Sequence, residues 1–437
     1  MSERRRSRLR DALFALLVTV VVLLAANQAV ELLERRGVVD TRRADDTVLY
    51  VESDLFEVDP EPHYVTTDYA NASGLVPARF RADKRDGWRM FLLGASFVQG
   101  SPYTFQGHGV EMPGGMASWL RDDLARWGFE QHVEVVNLGV GGQNSFRVAG
   151  FAEAALQYEP DVLFVATCNN EGALSPSRMR EQLHKLGGYR LLTKYLSPSP
   201  GQQERPYFTP QDEDSKRLAK DYRRNIRRII RASEEAGVPL LLGTLPINRQ
   251  YTGRIDSAPI TEVPSRYGPL DRCVAEAIQE MEHNPDLDEV LAAFDGCDQD
   301  LPDAVRWRGI TLLRAGRYEE ARASLDQSIE LQPRNRCRPS LNAIVREEAA
   351  ASANTTLVDL DAAASALVGG HGIAGEELFV DFCHMNWLGY AGMAAALLDE
   401  LERSELLPAD GARPNQPLDV ETLARRHGLN RLRFVAD

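Results

Sequence analysis

Five short apolar runs, separated by stretches with helical spacing, constrain the fold of this 437-residue chain more than any other feature. They are "WRMFLLG" (88–94), "VEVVNLG" (133–139), "DVLFVAT" (161–167), "VPLLLGTLP" (238–246) and "TTLVDLD" (355–361). Runs this short, rich in aliphatic residues and closed by Gly or a polar turn, read as strands buried on both faces. "MASWLRDDLARWG" (116–128) precedes the second, "FRVAGFAEAALQYEP" (146–160) the third and "DSKRLAKDYRRNIRRIIRASEEAG" (214–237) the fourth. In the last of these, Leu218, Tyr222, Ile226 and Ile229 fall on one helical stripe and Gly237 is a stop signal. Strand alternating with helix predicts βαβ units and a doubly wound, parallel α/β sheet.

The N-terminus has another character. "MSERRRSRLR" places five arginines before an uncharged apolar run at 12–26, which continues as "NQAVELL". With its flanks the run approaches the roughly 20 residues that a membrane-crossing helix needs. A cleaved signal peptide is the alternative, but Ala25, Ala26 and Ala29 form no clean A-x-A site. Five arginines before the run, against Arg35, Arg36, Arg42 and Arg43 after it, place the N-terminus in the cytoplasm and the rest outside. The net charge is -14, and residues 1–43 hold nine arginines against five acids, so the remainder is more acidic still. That balance excludes the basic footprint of a nucleic-acid binder.

Residues 44–87 are polar and irregular and read as a linker leading into a covering segment. "LSPSPGQQERPYFTP" (196–210) reads as a loop after the third strand, where a lid over a site would sit. Residues 270–340 carry helix formers and no strand signal. Within them Gly309, Leu312, Gly316, Tyr318, Ala321, Leu325 and Pro333 fall at the offsets of one tetratricopeptide repeat, with a degenerate partner at 286–299. A lone repeat must pack on a larger domain, so this stretch is expected as an insertion. Cys168, Cys273, Cys297, Cys337 and Cys383 lack metal-ligand spacing. Outside the cytoplasm they allow one or two disulfides with one thiol left over. Cys273 and Cys337, which flank the insertion, are a candidate pair; five buried thiols are the alternative.

Ligands of an open α/β sheet bind beyond the carboxyl ends of its strands. Ser96, in "FLLGASFVQG" (91–100), lies just past the first. Taken alone it reads as a helix cap; as a nucleophile it needs a base. His384, in "FVDFCHMNWLGYAGMA" (379–394), is the candidate base, with Asp381 three residues before it. If this stretch enters a helix, the two share a face, and the carboxylate can hold Nδ1–H while Nε2 takes the serine proton. A metal would need more ligands than this pair supplies. "NLGVGGQNS" (137–145) follows the second strand, and its Gly139, Gly141 and Gly142 allow close approach of a backbone N–H. Asn170, in "ATCNNEG" (166–172) after the third strand, offers an amide donor. Asn248 and Arg249 follow the fourth strand, as contacts for a polar substrate group or as a solvated loop. His108 and His371 receive no role.

Serine after strand one, glycine after strand two, asparagine after strand three and Asp-x-x-His near the C-terminus resemble the block order of the SGNH (GDSL-type) hydrolase family, over about 88–395. More closely, "GASFVQGSPY", "NLGVGGQNSFRV", "NNEG" and a C-terminal tetratricopeptide segment resemble a bacterial branch with a membrane-proximal N-terminus and the same insertion. The resemblance implies Ser96 as nucleophile, His384 as base and Asp381 as its orienting acid. It implies Gly142 and Asn170, with the Ser96 N–H, as oxyanion donors. Two departures stand out: Ala95 replaces the family's Asp, which is no triad member, and Cys168 replaces a glycine in the loop that aims Asn170. A Cys168–Cys383 bridge is a further pairing to be considered.

The expected fold is therefore a three-layer α/β/α SGNH-type (flavodoxin-like) sandwich with a short parallel sheet, an N-terminal transmembrane helix and a small helical insertion. The expected partition is 1–36 tip and anchor, 37–87 linker and cover, 88–269 first part of the hydrolase domain, 270–340 insertion, 341–405 its last part, and 406–437 tail. The resemblance implies a serine esterase acting on a small acyl group of an envelope carbohydrate or similar ester. O-acyl transfer to a polysaccharide, or non-catalytic binding with the repeat recruiting a protein partner, are the alternatives. No metal or organic cofactor is implied. The expected location is the bacterial inner membrane, single-pass, with the catalytic part on the periplasmic side.

Overall fold

The computed structural model describes residues 3–41, 56–58, 61, 63–67, 78–84, 87–103, 113–129, 133–171, 178–196, 213–252, 271–331, 336–408, 414 and 419–429. The five apolar runs are strands: β4 (Trp88–Gly94), β5 (Val133–Gly139), β6 (Val162–Ala166), β7 (Leu240–Gly243) and β8 (Thr355–Val358). They pair in parallel in the order β5-β4-β6-β7-β8. Every residue of β4, β6 and β7 is buried, as strands covered on both faces require. Two groups of helices supply the cover. Ser145–Ala155, Glu213–Ala236 and Pro339–Ala350 pack together, as do Met116–Arg126, Leu360–Leu367 and Trp387–Arg403. The stripe Leu218, Tyr222, Ile226 and Ile229 is buried as its spacing predicts.

The register makes the strands end flush. Gly94 lies level with Gly139 on one side and Ala166 on the other, Ala166 with Gly243, and Gly243 with Val358. The chain leaves β4 for β5 on one side, then crosses to β6 on the other, so β4 and β6 bound the topological switch point. Both Ser96 and Asn170 follow these two strands.

Residues 44–87 are less irregular than their composition predicts. Within them β1 (Phe56–Val58), β2 (Tyr64–Thr67) and β3 (Arg79–Arg81) form a small antiparallel sheet. Strands of three or four residues are too short to show alternation; what fixes them is tertiary. Phe56 and Phe80 stack edge-on at 5.6 Å, and Phe80 meets Phe91 of β4 at 5.3 Å. The fully buried Arg89 bonds Glu134 Oε2 at 2.7 Å, Tyr158 O at 2.7 Å and Arg81 O at 2.6 Å, which ties this cover to the main sheet.

The stretch 270–340 is helical among its described residues, with helices Arg272–His283, Leu287–Asp295, Pro302–Arg314 and Tyr318–Leu331. The last two run antiparallel: Ser324 and Ser328 donate to Val305 O and Pro302 O at 2.8 and 2.9 Å. Gly309 faces Leu325 so closely that an added Cβ would lie 2.7 Å from its Cγ.

Residues 1–52 and 175–204 form a separate compact unit. Its helix Glu3–Arg35 contains a stretch, Ala12–Arg35, with mean hydropathy 2.3, long and apolar enough to cross a membrane by length and composition. Helices Arg178–His184 and Gly187–Leu196 belong to this unit. Of the expected lid at 196–210, Leu196 is the last residue of a helix, and 197–210 lie outside the described residues.

The flush rim depends on Gly94. A Cβ there would lie 2.2 Å from Ala166 O and 2.4 Å from Val98 Cγ2. Gly94→Ala should therefore destabilise the protein by at least about 1–3 kcal/mol, the usual cost of overpacking, because the backbone oxygen cannot yield. A denaturant midpoint unchanged from wild type would contradict this.

Candidate active site

Ser96 opens a four-residue helical turn, Ser96–Gln99, directly after β4. The turn's cap position is Ala95, which makes no side-chain cap bond, so the Ser96 hydroxyl is not used as a helix cap. Instead its Oγ lies 2.8 Å from His384 Nε2. His384 Nδ1 lies 2.6 Å from Asp381 Oδ2. The structure thus brings together a hydroxyl, an imidazole and a carboxylate whose donors and acceptors are aligned for proton transfer from the hydroxyl to Nε2.

Asp381 and His384 do not share a helix face. The helix begins only at Trp387, capped by Asn386, whose Oδ1 accepts from Gly389 N at 2.9 Å. Asp381 instead hooks its own loop: Oδ1 accepts from the amides of Cys383 at 2.7 Å and His384 at 2.6 Å. This Asx-type turn leaves Oδ2 for the ring. Burial alone would raise the Asp381 carboxyl, but the His384 hydrogen bond and charge hold it below the usual carboxylate range. For His384, burial disfavours the imidazolium, yet the adjoining Cys383 sulfur and the hydrogen bond and charge of the Asp381 carboxylate win and raise it well above the ordinary histidine value. Burial also raises the Cys383 thiol, so at neutral pH that group is uncharged and Asp381 is the partner that acts.

The Cys383 Sγ lies 3.6 Å from Nδ1 and 3.9 Å from Nε2. Asp381, Cys383 and His384 bring ligand-type atoms within 4.8 Å of one another. Both ring nitrogens already face other partners, Nδ1 Asp381 and Nε2 Ser96.

The two expected oxyanion loops touch. Asn170 Nδ2 donates to Gln143 O at 3.1 Å, and an amide nitrogen carries a second hydrogen for a ligand. Gly142 has φ 73°, a left-handed conformation that a side chain would strain. Below this turn Asn144 caps helix Ser145–Ala155 by accepting from Arg147 N. Glu171, beside Asn170, is buried and takes the Ser145 amide and hydroxyl at 2.7 Å each. Burial pushes its carboxyl up to about 7, and the Ser145 bonds only partly oppose this.

Sequence reasoning missed how the loops are braced. Neither Cys273–Cys337 nor Cys168–Cys383 forms. The disulfides are Cys168–Cys337 and Cys273–Cys297, and Cys383 is free. The reason is spatial: the chain leaving the helical insertion passes beside the loop after β6, where Cys337 N also donates to Asn169 Oδ1 at 2.9 Å. Cys168, in place of a glycine, thus anchors the Asn170 loop. One residue earlier, Arg336 donates to Asn248 O, and Asn248 Nδ2 donates to Asp381 O at 2.8 Å. Asn248 and Arg249 are neither rim contacts nor a solvated loop: both are buried, and Arg249 grips Asp361 at 2.8 and 3.0 Å and Asp326 at 2.7 Å. His371 Nδ1 accepts from Ile373 N at 3.1 Å, and His108 lies outside the described residues.

No family model matches this chain, nor does any curated protein. Several solved structures are similar to it. An acetylxylan esterase from Geobacillus stearothermophilus is 14% identical, with 72% of this chain and 94% of that chain covered and a TM-score of 0.36. A lipase/acylhydrolase from Enterococcus faecalis is 13% identical, over 75% of this chain and 100% of that chain, with a TM-score of 0.35. A GDSL-like lipase from Bacteroides thetaiotaomicron is 12% identical, over 72% and 88%, with a TM-score of 0.32. At these TM-scores the likeness carries no weight for function, which rests on the side-chain geometry.

Glu171 yields a pH test. A carboxyl raised from 4.5 to about 7 favours the folded state when protonated, so its contribution is present below pH 4.5 and lost as pH rises towards 7. The loss amounts to about 3 kcal/mol. The stability difference between wild type and Glu171→Gln should change by that order across the window and stay level above it; a constant difference in denaturation experiments would contradict it.

Proposed function

We propose that this chain is a membrane-anchored serine esterase. The observation that carries the reading is the pair of contacts at His384: Nε2 to Ser96 Oγ at 2.8 Å and Nδ1 to Asp381 Oδ2 at 2.6 Å. Ser96 Oγ attacks an acyl carbonyl as His384 accepts its proton. Asp381 fixes the tautomer and stabilises the imidazolium. The tetrahedral oxyanion is received by the Gly142 N–H, the Asn170 amide and the Ser96 N–H, which, as the first of a helical turn, has no intrahelical acceptor. His384 then protonates the departing alkoxide. Water, deprotonated by the same imidazole, releases the acid and restores Ser96.

The substrate class follows from topology. The apolar helix at the N-terminus is read as an anchor, with its arginine-rich end in the cytoplasm. Two disulfides support an oxidising compartment for the catalytic unit. An ester on an envelope carbohydrate, carrying a small acyl group, is the substrate such a location offers.

Full-length protein in detergent should turn over p-nitrophenyl acetate and label at Ser96 with a fluorophosphonate. Ser96→Ala should lose both, with turnover down on the order of 10⁶. Because His384 must be neutral to act, kcat/KM should rise with pH through a value above 6.5. Asp381→Asn should move that limb to lower pH while kcat falls on the order of 10⁴. Equal rates for wild type and Ser96→Ala would support a non-catalytic binding protein, and acyl appearing on an added oligosaccharide rather than in water would support transfer.

The brace on the Asn170 loop has its own expected effect. Cys168→Ala with Cys337→Ala should lower kcat by about 10–100-fold with KM little changed, since an oxyanion donor shifted by a fraction of an ångström loses transition-state contact first. Cys273→Ala with Cys297→Ala should leave kcat near wild type. Identical kinetics for the two double variants would remove the loop from this account.

A further inference from the structure

The helix Gly187–Leu196 is amphipathic in the opposite sense from a helix of a soluble protein. At about 100° per residue, Leu191, Leu192, Tyr195 and Leu196 crowd one arc, while Arg190 and Lys194 occupy the other. In water the apolar arc turns inward. Here the polar arc does. Arg190 pairs with Glu34 at 2.5 Å and donates to Thr41 Oγ1 at 3.0 Å, the two charged side chains being 17% and 21% exposed. Lys194 reaches Asp40 O at 2.8 Å and Oδ2 at 3.1 Å. Meanwhile Leu192, Tyr195 and Leu196 are 55%, 75% and 71% exposed.

The placement of this helix along its neighbour matters as much as its polarity. Gly188 N donates to Asn27 Oδ1 at 2.9 Å, and a Cβ on Gly187 would lie 3.1 Å from Glu31 Cγ. The apolar run of the long helix ends at residue 26, so Asn27 and Glu31 lie within about 8 Å of its end at 1.5 Å per residue. The interfacial zone of a bilayer is roughly 5–7 Å thick on each side. Fifteen apolar residues span only about 22 Å of a hydrocarbon core about 30 Å thick, so hydrocarbon extends past at least one end of the run. Among the described residues, the exposed large apolar side chains other than Tyr318 and Leu367 all fall on the long helix, on Val38 just after it, or between Met179 and Leu196.

We propose that Gly187–Leu196, with the preceding helix Arg178–His184, is a second membrane element that rests in the headgroup–acyl boundary of the leaflet from which the anchor emerges. Leu192, Tyr195 and Leu196 enter lipid, the tyrosine at the depth that aromatic hydroxyls favour. Arg190 and Lys194 clasp the anchor's end through Glu34 and Asp40, which pairs their charges at the interface. The element goes beyond a single-span tether: it fixes the rotation and tilt of the anchor's outer end. This inference rests on the long helix lying in the bilayer and not on the esterase chemistry.

The test uses full-length protein in vesicles of phosphatidylcholine and phosphatidylglycerol, with no other protein present. An environment-sensitive fluorophore is placed through Leu192→Cys or Leu196→Cys in a Cys383→Ala background. Val20→Cys marks the bilayer and Lys220→Cys, on an exposed position of the catalytic unit, marks water. The expected result is blue-shifted emission at 192 and 196 and several-fold stronger quenching by brominated lipid than at 220. Emission at 192 and 196 matching that at 220, while position 20 reads lipid, would overturn the proposal and leave the anchor intact. A blue shift lost on dilution into excess lipid would assign the face to a second copy and overturn it equally. Position 20 reading water would overturn the anchor and this element together.

Discussion

A hydrogen bond from the Trp387 amide to the Tyr103 hydroxyl, 2.7 Å long, joins segments 284 residues apart, and Tyr390 returns the link through its hydroxyl to Ser101 O at 2.7 Å. One end of each bond lies just past the serine turn, the other just past His384. The contact between Ser96 and His384 depends on this stitching, because neither segment is held to the other by sheet pairing. Burial pushes the Tyr103 hydroxyl up to about 12 and raises that of Tyr390 well above the usual phenol range, so both stay neutral at any pH the protein meets. A buried, neutral hydroxyl with a backbone partner is a rigid spacer. Rigidity is what a proton path of 2.8 and 2.6 Å demands, since small displacements in such a path are costly.

The helical insertion is woven into the same centre. As the chain leaves it, Arg336 reaches Asn248 and so the Asp381 carbonyl, Cys337 binds Cys168, and Asn342 exchanges both amide bonds with Leu245 at 2.8 and 3.0 Å. Three successive contacts therefore touch the acid's loop, the Asn170 loop and the segment after β7. A helical module that begins as an interruption of the sheet ends as the part that holds three of its loops in register.

Much of this was legible in the sequence, and the reasons differ by element. The runs at 88–94 and 133–139 match β4 and β5 residue for residue, because each is a compact, mostly apolar run that closes on a glycine. The serine, histidine and aspartate were found from their order along the chain, and the distances place them together. Their local support was misread: a spacing of three suggested a shared helix face, whereas Asp381 reaches its neighbour through an Asx hook, which the same spacing permits. Cys337 could not be assigned because its partner is chosen by where the chain re-enters the sheet. The same holds for β1 to β3, whose stability comes from rings 5–6 Å away rather than from their own pattern. Residues 178–196 are not legible as a lipid-facing element, because a helix that shows its apolar arc outward has the same periodicity as one that hides it.

The Cys168–Cys337 bridge spans 169 residues, whereas Cys273–Cys297 spans 24. In a chain held at its N-terminal helix and exported from there onward, as the proposed topology would have it, Cys168 meets the oxidant long before its mate arrives, and in the interval the nearest thiols on offer are 273 and 297. On that reading the short loop must close on itself before the long one is drawn shut. The loop that carries Asn170 is thus the last of the rim to be fastened, by a crosslink that only a completed helical module can deliver.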